Sequence, residues 1–294
     1  MRPFRPQPKM SLKGVDPLGM ILWSIFILSA IFAVSYGEEF DWLNDKRIRI
    51  AIGISMLSLA ICLLRMMHIR HTFIEFGAFR QPNLFNLVIL FLGLDILLGT
   101  QNVLQNVFTS KVLGYDQLTA SQLKWPEFLG TGVAALFSWQ MRVRLKWSLK
   151  TLTLWSMAAM AIYPLLMSQL MWEDLNIKQL WLPSFVIGFG HVGLFIALTV
   201  YAQAYCNFKY YFQVLCILGF MRMGIGDVIG IAIWERALTG QMAVVLAHGS
   251  GQPLVDVLRE LYGWGAVVGL SLVLVVLLGH SDTLRNPIPR LKSI

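Results

Sequence analysis

The sequence predicts an all-helical membrane protein. Of its 294 residues 56% are hydrophobic and only 14% are charged, against the roughly 25% charged residues that give a soluble domain its polar shell. The apolar residues gather into eight long runs without period-two alternation. In lipid the backbone must satisfy its own hydrogen bonds, so such runs specify helices and not barrel strands.

The runs cover 17–36, 48–67, 84–108, 127–141, 151–171, 180–203, 210–234 and 261–279. A span needs about 20 residues. The third and seventh exceed that and imply tilt or extension beyond the hydrocarbon. The fourth falls short and is expected to recruit Trp125-Pro126 and Arg142. No cleavable signal peptide is evident, so the first helix is expected to stay in the mature protein.

Charge placement supports the count. Fifteen of the twenty-four Lys and Arg fall at the N-terminus, at the C-terminus or in the even-numbered gaps, among them Arg2, Lys13, Arg65, Arg142 and Lys209. Eight fall in the odd-numbered gaps, and Arg222 remains inside a span. The positive-inside rule then puts both termini in the cytoplasm. The net charge of +8 is thus an orientation signal, and nucleic acid is not expected as a partner. Trp42, Trp125, Trp147, Trp172, Trp181, Trp234 and Trp264 lie near proposed boundaries, where an indole is well solvated at the lipid interface. Cys62, Cys206 and Cys216 show no C-x-x-C spacing and read as small packing residues.

Three spans hold residues that do not suit lipid. Asp95 lies midway along the third, with Gly99, Asn102, Gln105 and Asn106 on the same face at helical spacing. A carboxylate there is a candidate proton carrier or a partner for a cationic group; the alternative is a structural Asp bonded to a neighbouring helix. Asp227 lies beside a seam of Gly219, Gly226 and Gly230 that lets another helix approach. Arg222 is five residues away, about 140° round a 3.6-residue helix, and either neutralises Asp227 or snorkels to the cytoplasmic side. His191 is the only mid-span histidine, fit for a proton relay or for a plain buried polar contact. There is no G-x-S-x-G, P-loop, H-E-x-x-H or Cys/His cluster. No enzyme activity, metal or cofactor is expected.

The stretch Leu113-Gly114-Tyr115-Asp116-Gln117-Leu118-Thr119-Ala120-Ser121 through Pro126 resembles the L-G-Y-S-x-L-x-A-G-x-x-x-x-P connection of major facilitator superfamily transporters of the fourteen-helix drug:proton antiporter type. Asp116 and Ser121 stand where that pattern has serine and glycine. Asp16-Pro17-Leu18-Gly19 is similar to the D-x-x-G opening the family's seventh helix, and Phe79-Arg80-Gln81-Pro82-Asn83-Leu84-Phe85 to the F-R-x-x-x-F leading into its ninth.

The resemblance implies a cytoplasmic N-terminus and two extra central helices over 1–79. It implies a C-terminal six-helix bundle of two inverted three-helix repeats over 80–294. The chain would then be the C-terminal part of a proton-coupled secondary transporter in a bacterial inner (plasma) membrane, exporting small amphipathic or drug-like molecules by alternating access. Asp95, Asn102, Gln105, His191, Arg222 and Asp227 are the candidates for substrate pathway or proton coupling. Expected partners are membrane lipids, protons, a small-molecule substrate and a separate N-terminal transporter half, unless the chain is a truncated form. The competing expectation is a non-transporting membrane scaffold or assembly partner.

Overall fold

The computed structural model describes residues 16–69, 72–81, 84–172, 175–206, 208–247 and 254–278. Arg2, Lys13, Arg70, Pro82, Asn83, Glu173, Asp174 and the basic residues after Leu278 lie outside them. The described residues are helical, without strands, and divide into two compact units, Met1–Gln81 and Pro82–Ile294.

The first unit is a helical hairpin of α1 (Pro17–Ser35) and α2 (Lys46–His68), followed by a single turn α3 (Phe76–Phe79). Asp16 starts α1. Its Oδ1 accepts the Gly19 N–H at 2.9 Å, with Pro17 at the first helical position, where a missing N–H costs nothing. The D-x-x-G sequence is therefore a helix cap, with the glycine giving the carboxylate room. The same carboxylate pairs with Arg65 near the end of α2 at 2.7 Å and accepts the Phe73 N–H at 3.2 Å. It thus ties the start of one helix to the end of the other. Burial pushes the Asp16 carboxyl up, but these N–H donors and the Arg65 guanidinium outweigh it and hold the group below its ordinary 3.8. At the other end of the hairpin Asp45 caps α2 through the Arg47 N–H, and Ala33, Ile48 and Ala51 form a small core.

Among its described residues the second unit is built on eight α-helices. The first is α4 (Leu84–Gly99), which runs on through π-helical turns at Thr100–Gln105 and Phe108–Val112. The short α5 (Gln117–Ser121) and then α6 (Lys124–Trp139) follow, the latter with a π-turn at Gln140–Arg144. After them come α7 (Leu149–Gln169), α8 (Trp181–Tyr205), α9 (Tyr211–Phe220), α10 (Asp227–Ala247) and α11 (Leu254–Leu278). The α9 helix passes into α10 through a π-helical segment, Met221–Gly226. Gly114 turns the chain after α4 with φ 65°, a conformation that favours glycine. Tyr115 anchors the turn by donating from its hydroxyl to the Leu175 carbonyl at 2.8 Å, and Asp116 caps α5.

The packing runs α6 along α8, α8 along α7 and α7 along α11, with α4 against α10. Glycines set the closest approaches. A methyl group on Gly99 would meet the Gly230 carbonyl oxygen at 2.5 Å, and one on Gly188 would overlap the Glu127 carbonyl. Trp234 closes the α4–α10 seam, donating from Nε1 to the Ile96 carbonyl at 2.7 Å.

Seven helical stretches among the described residues are long and apolar enough to cross a membrane: Pro17–Ser35, Lys46–His68, Leu84–Val112, Leu149–Gln169, Ile177–Ala204, Tyr211–Val245 and Leu254–Leu278. They are compatible with an integral membrane protein. The sequence predicts eight, and the difference lies at α6. It recruits Trp125-Pro126 and, through its π-turn, runs on past Arg142 to Arg144. But Lys124, Glu127, Gln140, Arg142 and Arg144 at its two ends leave too short an apolar stretch between them for a hydrocarbon core of about 30 Å. The placement of tryptophans also needs one correction. Trp125, Trp172 and Trp181 are exposed at or beside helix ends, whereas Trp234 is only 3% exposed, because its indole packs into the space that Gly99 and Gly265 leave.

Candidate functional site

The polar residues buried in apolar helices converge on one cleft in the second unit. It has a volume of about 270 Å³ and is walled by α4, the start of α6, the middle of α8 and the π-helical segment before α10. Asp95, Asn102, His191, Arg222 and Asp227 all line it. Five of the six sequence candidates therefore meet in space, although they span 133 positions of the chain from residue 95 to residue 227.

Winding decides how they meet. Arg222 lies within the π-helical Met221–Gly226 and Asp227 directly follows it, its N–H bonded to the Arg222 carbonyl five residues back. Residues five apart come nearly into register there, and both side chains reach the cleft. The 140° separation expected for a regular helix does not apply.

The same effect splits the stripe on α4. The π-turn at Thr100–Gln105 leaves Asp95 and Asn102 on the cleft but carries Gln105 away from it. Gln105 is buried, and its Oε1 accepts from the Tyr163 hydroxyl at 2.8 Å, with the Tyr262 hydroxyl 3.5 Å from that of Tyr163. It is a packing residue of the α4–α7–α11 core, not a wall of the cleft. Asn106 is exposed and donates from its amide to the Asn102 carbonyl.

Arg222 and His191 touch directly, Nη2 to Nε2, at 2.6 Å. A guanidinium can only donate, so His191 accepts on Nε2 and keeps its proton on Nδ1. The guanidinium also lies over the Phe195 ring, 4.1 Å from its centroid, a cation–π contact that holds it without using its remaining donors. Arg222 makes no ion pair among the described residues. It does not snorkel away, and the cleft keeps its charge.

Asp95 is only 2% exposed, and its Oδ2 has no hydrogen-bond partner. A buried oxygen left unsatisfied costs about 1–3 kcal/mol, more when it is charged. Such an atom marks either a protonated carboxyl or a place where a ligand donor belongs. The neighbouring backbone is glycine for a reason: a side chain at Gly226 would overlap Oδ2, and one at Gly230 would overlap the Asp95 carbonyl.

Three further residues complete the wall. Glu127 Oε2 accepts from Gln101 Nε2 at 2.9 Å and from Lys124 Nζ at 2.8 Å. In the sequence Lys124 looks like an ordinary loop cation, and Glu127 stands at the margin of the fourth apolar run. Their spacing of three on a helix is the one local signal that they pair. Gln101 carries no signal, since only the π-turn brings it to the cleft.

No family model matches the chain, and no curated protein matches it.

Proposed function

We propose that the chain is part of a proton-coupled secondary transporter, with the α4–α8–α10 cleft as one wall of the pathway. The observation that carries this is Asp95, a buried carboxyl with an unpartnered oxygen in a cleft shared with Arg222, Asp227 and His191. Charged groups within apolar helices are costly against lipid and belong where protein or water covers them. The open side of the cleft is accordingly covered by a second helical bundle or by water. The Asp95 proton is taken up and released in response to the charges that face it, namely Arg222, Asp227, Lys124 and Glu127, with neutral His191 holding Arg222 in place. Gain and loss of that proton bias the rocking of the two halves.

In this reading both termini are cytoplasmic in a bacterial inner membrane. The α6 helix crosses as an eighth span with the help of its extension to Arg144. The six long helices of the second unit form two inverted triplets, and the cargo is a small amphipathic molecule moved outward.

The test is flux. The full chain is reconstituted in liposomes with a pH gradient and an internal pH dye, alone and with co-expressed six-helix partners, against a panel of amphipathic amines, acids and zwitterions. Substrate-dependent proton movement that Asp95→Asn abolishes is expected. Flux unchanged in Asp95→Asn would overturn the proton role. A well-inserted chain with no proton-linked flux in any combination would favour the scaffold reading.

A further inference from the structure

The charges in the cleft are not equivalent once their hydrogen bonds are counted. Glu127 is occupied by Lys124 and Gln101, so that trio neutralises itself and forms a wall. His191 is neutral and gives its acceptor to Arg222. What remains uncommitted is one guanidinium, Arg222, and two carboxyls, Asp95 and Asp227, none joined to another by an ion pair among the described residues.

A simple organic cation entering this space would meet Arg222, and a simple anion would meet Asp95 and Asp227. Each would leave one part of the set unpaired and half-desolvated, which is costly. A molecule carrying both charges satisfies both. Its carboxylate takes the donors that Arg222 has left, in the planar fork that suits a carboxylate. Its ammonium donates to Asp227 and lies beside the Asp95 carboxyl, both of which line the cleft.

The volume of about 270 Å³ equals roughly nine waters at about 30 Å³ each, enough for an amino-acid-sized molecule. Leu98 and Met223 supply the apolar lining. We infer that the cleft binds a small apolar zwitterion, with its carboxylate on Arg222 and its ammonium between Asp95 and Asp227. This rests on the transport proposal for its biological meaning but not for its binding chemistry.

Three probes of the same apolar body separate the charges: phenylalanine (zwitterion), phenethylamine (cation) and 3-phenylpropionate (anion). Binding to the full chain in lipid nanodiscs is measured by calorimetry. Phenylalanine is expected to bind at least tenfold more tightly than either relative. Arg222→Gln should abolish its advantage over the amine, and Asp227→Asn its advantage over the acid. Arg222→Lys keeps the charge without the fork and should retain part of the preference, which separates a lost contact from a lost fold. An amine or an acid that binds as tightly as phenylalanine overturns the inference, as does binding by none of the three. Proton-linked flux of another compound, with none of the three bound, sinks this inference and leaves the transport proposal standing. Zwitterion preference without any flux does the reverse.

Discussion

Gly226 lies against the carboxyl of Asp95 so closely that a single methyl group at position 226 would overlap Oδ2. The residue that gives the cleft its buried acid is thus held by the absence of a side chain on the helix opposite. Gly226→Ala should cost about 1–3 kcal/mol through overpacking. Gly219→Ala, where a methyl group meets nothing within 4 Å, should be neutral or stabilise by up to about 1 kcal/mol through helix propensity. Thermal unfolding of the two variants in the same mild detergent compares them directly. Equal midpoints would remove the claim that the α4–α10 seam is packed to its limit.

The Asp16–Arg65 tie predicts a pH dependence in the first unit. The folded-state value of Asp16 lies below its ordinary 3.8. Its contribution is therefore fully present above 3.8 and fades as the pH falls through the lower folded value. Asp16→Asn should cost about 1.5–3 kcal/mol near neutral pH, the range for hydrogen bonds to a charged group. It should also flatten the loss of stability seen in the parent chain below pH 4. A melting profile from pH 6 to pH 2 on both proteins checks it, and parallel profiles would contradict it.

The buried hydroxyl pair should respond unequally to loss of its oxygens. Tyr163→Phe removes a 2.8 Å donor and strands the acceptor of Gln105, a loss of about 1–3 kcal/mol. Tyr262→Phe removes only contacts of 3.5 Å and should cost less than about 1 kcal/mol. Both side chains are fully buried, so burial alone predicts no difference between them. Melting temperatures of the two variants decide.

The crossing of α6 can be read by labelling. With Cys62, Cys206 and Cys216 replaced by alanine, single cysteines at Thr119 and Lys146 flank the helix. A membrane-impermeant maleimide applied to intact cells should reach the first and not the second. Labelling of both from one side would leave α6 as a half-span or a surface helix and reduce the chain from eight crossings to seven.

The membrane-compatible architecture was legible because hydropathy acts over whole segments. Runs of 20 apolar residues specify helices whatever their neighbours are, and seven of the eight expected spans correspond to long apolar helices. Asp95, His191 and Asp227 were legible because an ionisable group among Leu, Phe and Gly is conspicuous in one dimension. Their convergence was not, since it depends on which faces of α4, α8 and α10 are turned together. A pattern of 3.6 residues per turn placed Gln105 beside Asp95 and Arg222 away from Asp227, and both placements failed where the helix widens to i+5 bonding.

By itself, then, the sequence determined an all-helical chain, the number and limits of its long apolar segments to within one helix, and the polar residues at odds with lipid. The tertiary structure alone decided that Arg222 rests on Phe195 and His191, that Glu127 belongs to Lys124 and Gln101, and that Asp95 keeps an oxygen free. The reason is physical. Hydrophobic burial is roughly additive along the chain, whereas hydrogen bonds and charge pairs depend on distance and direction, which the packing of glycine seams and the pitch of each turn settle.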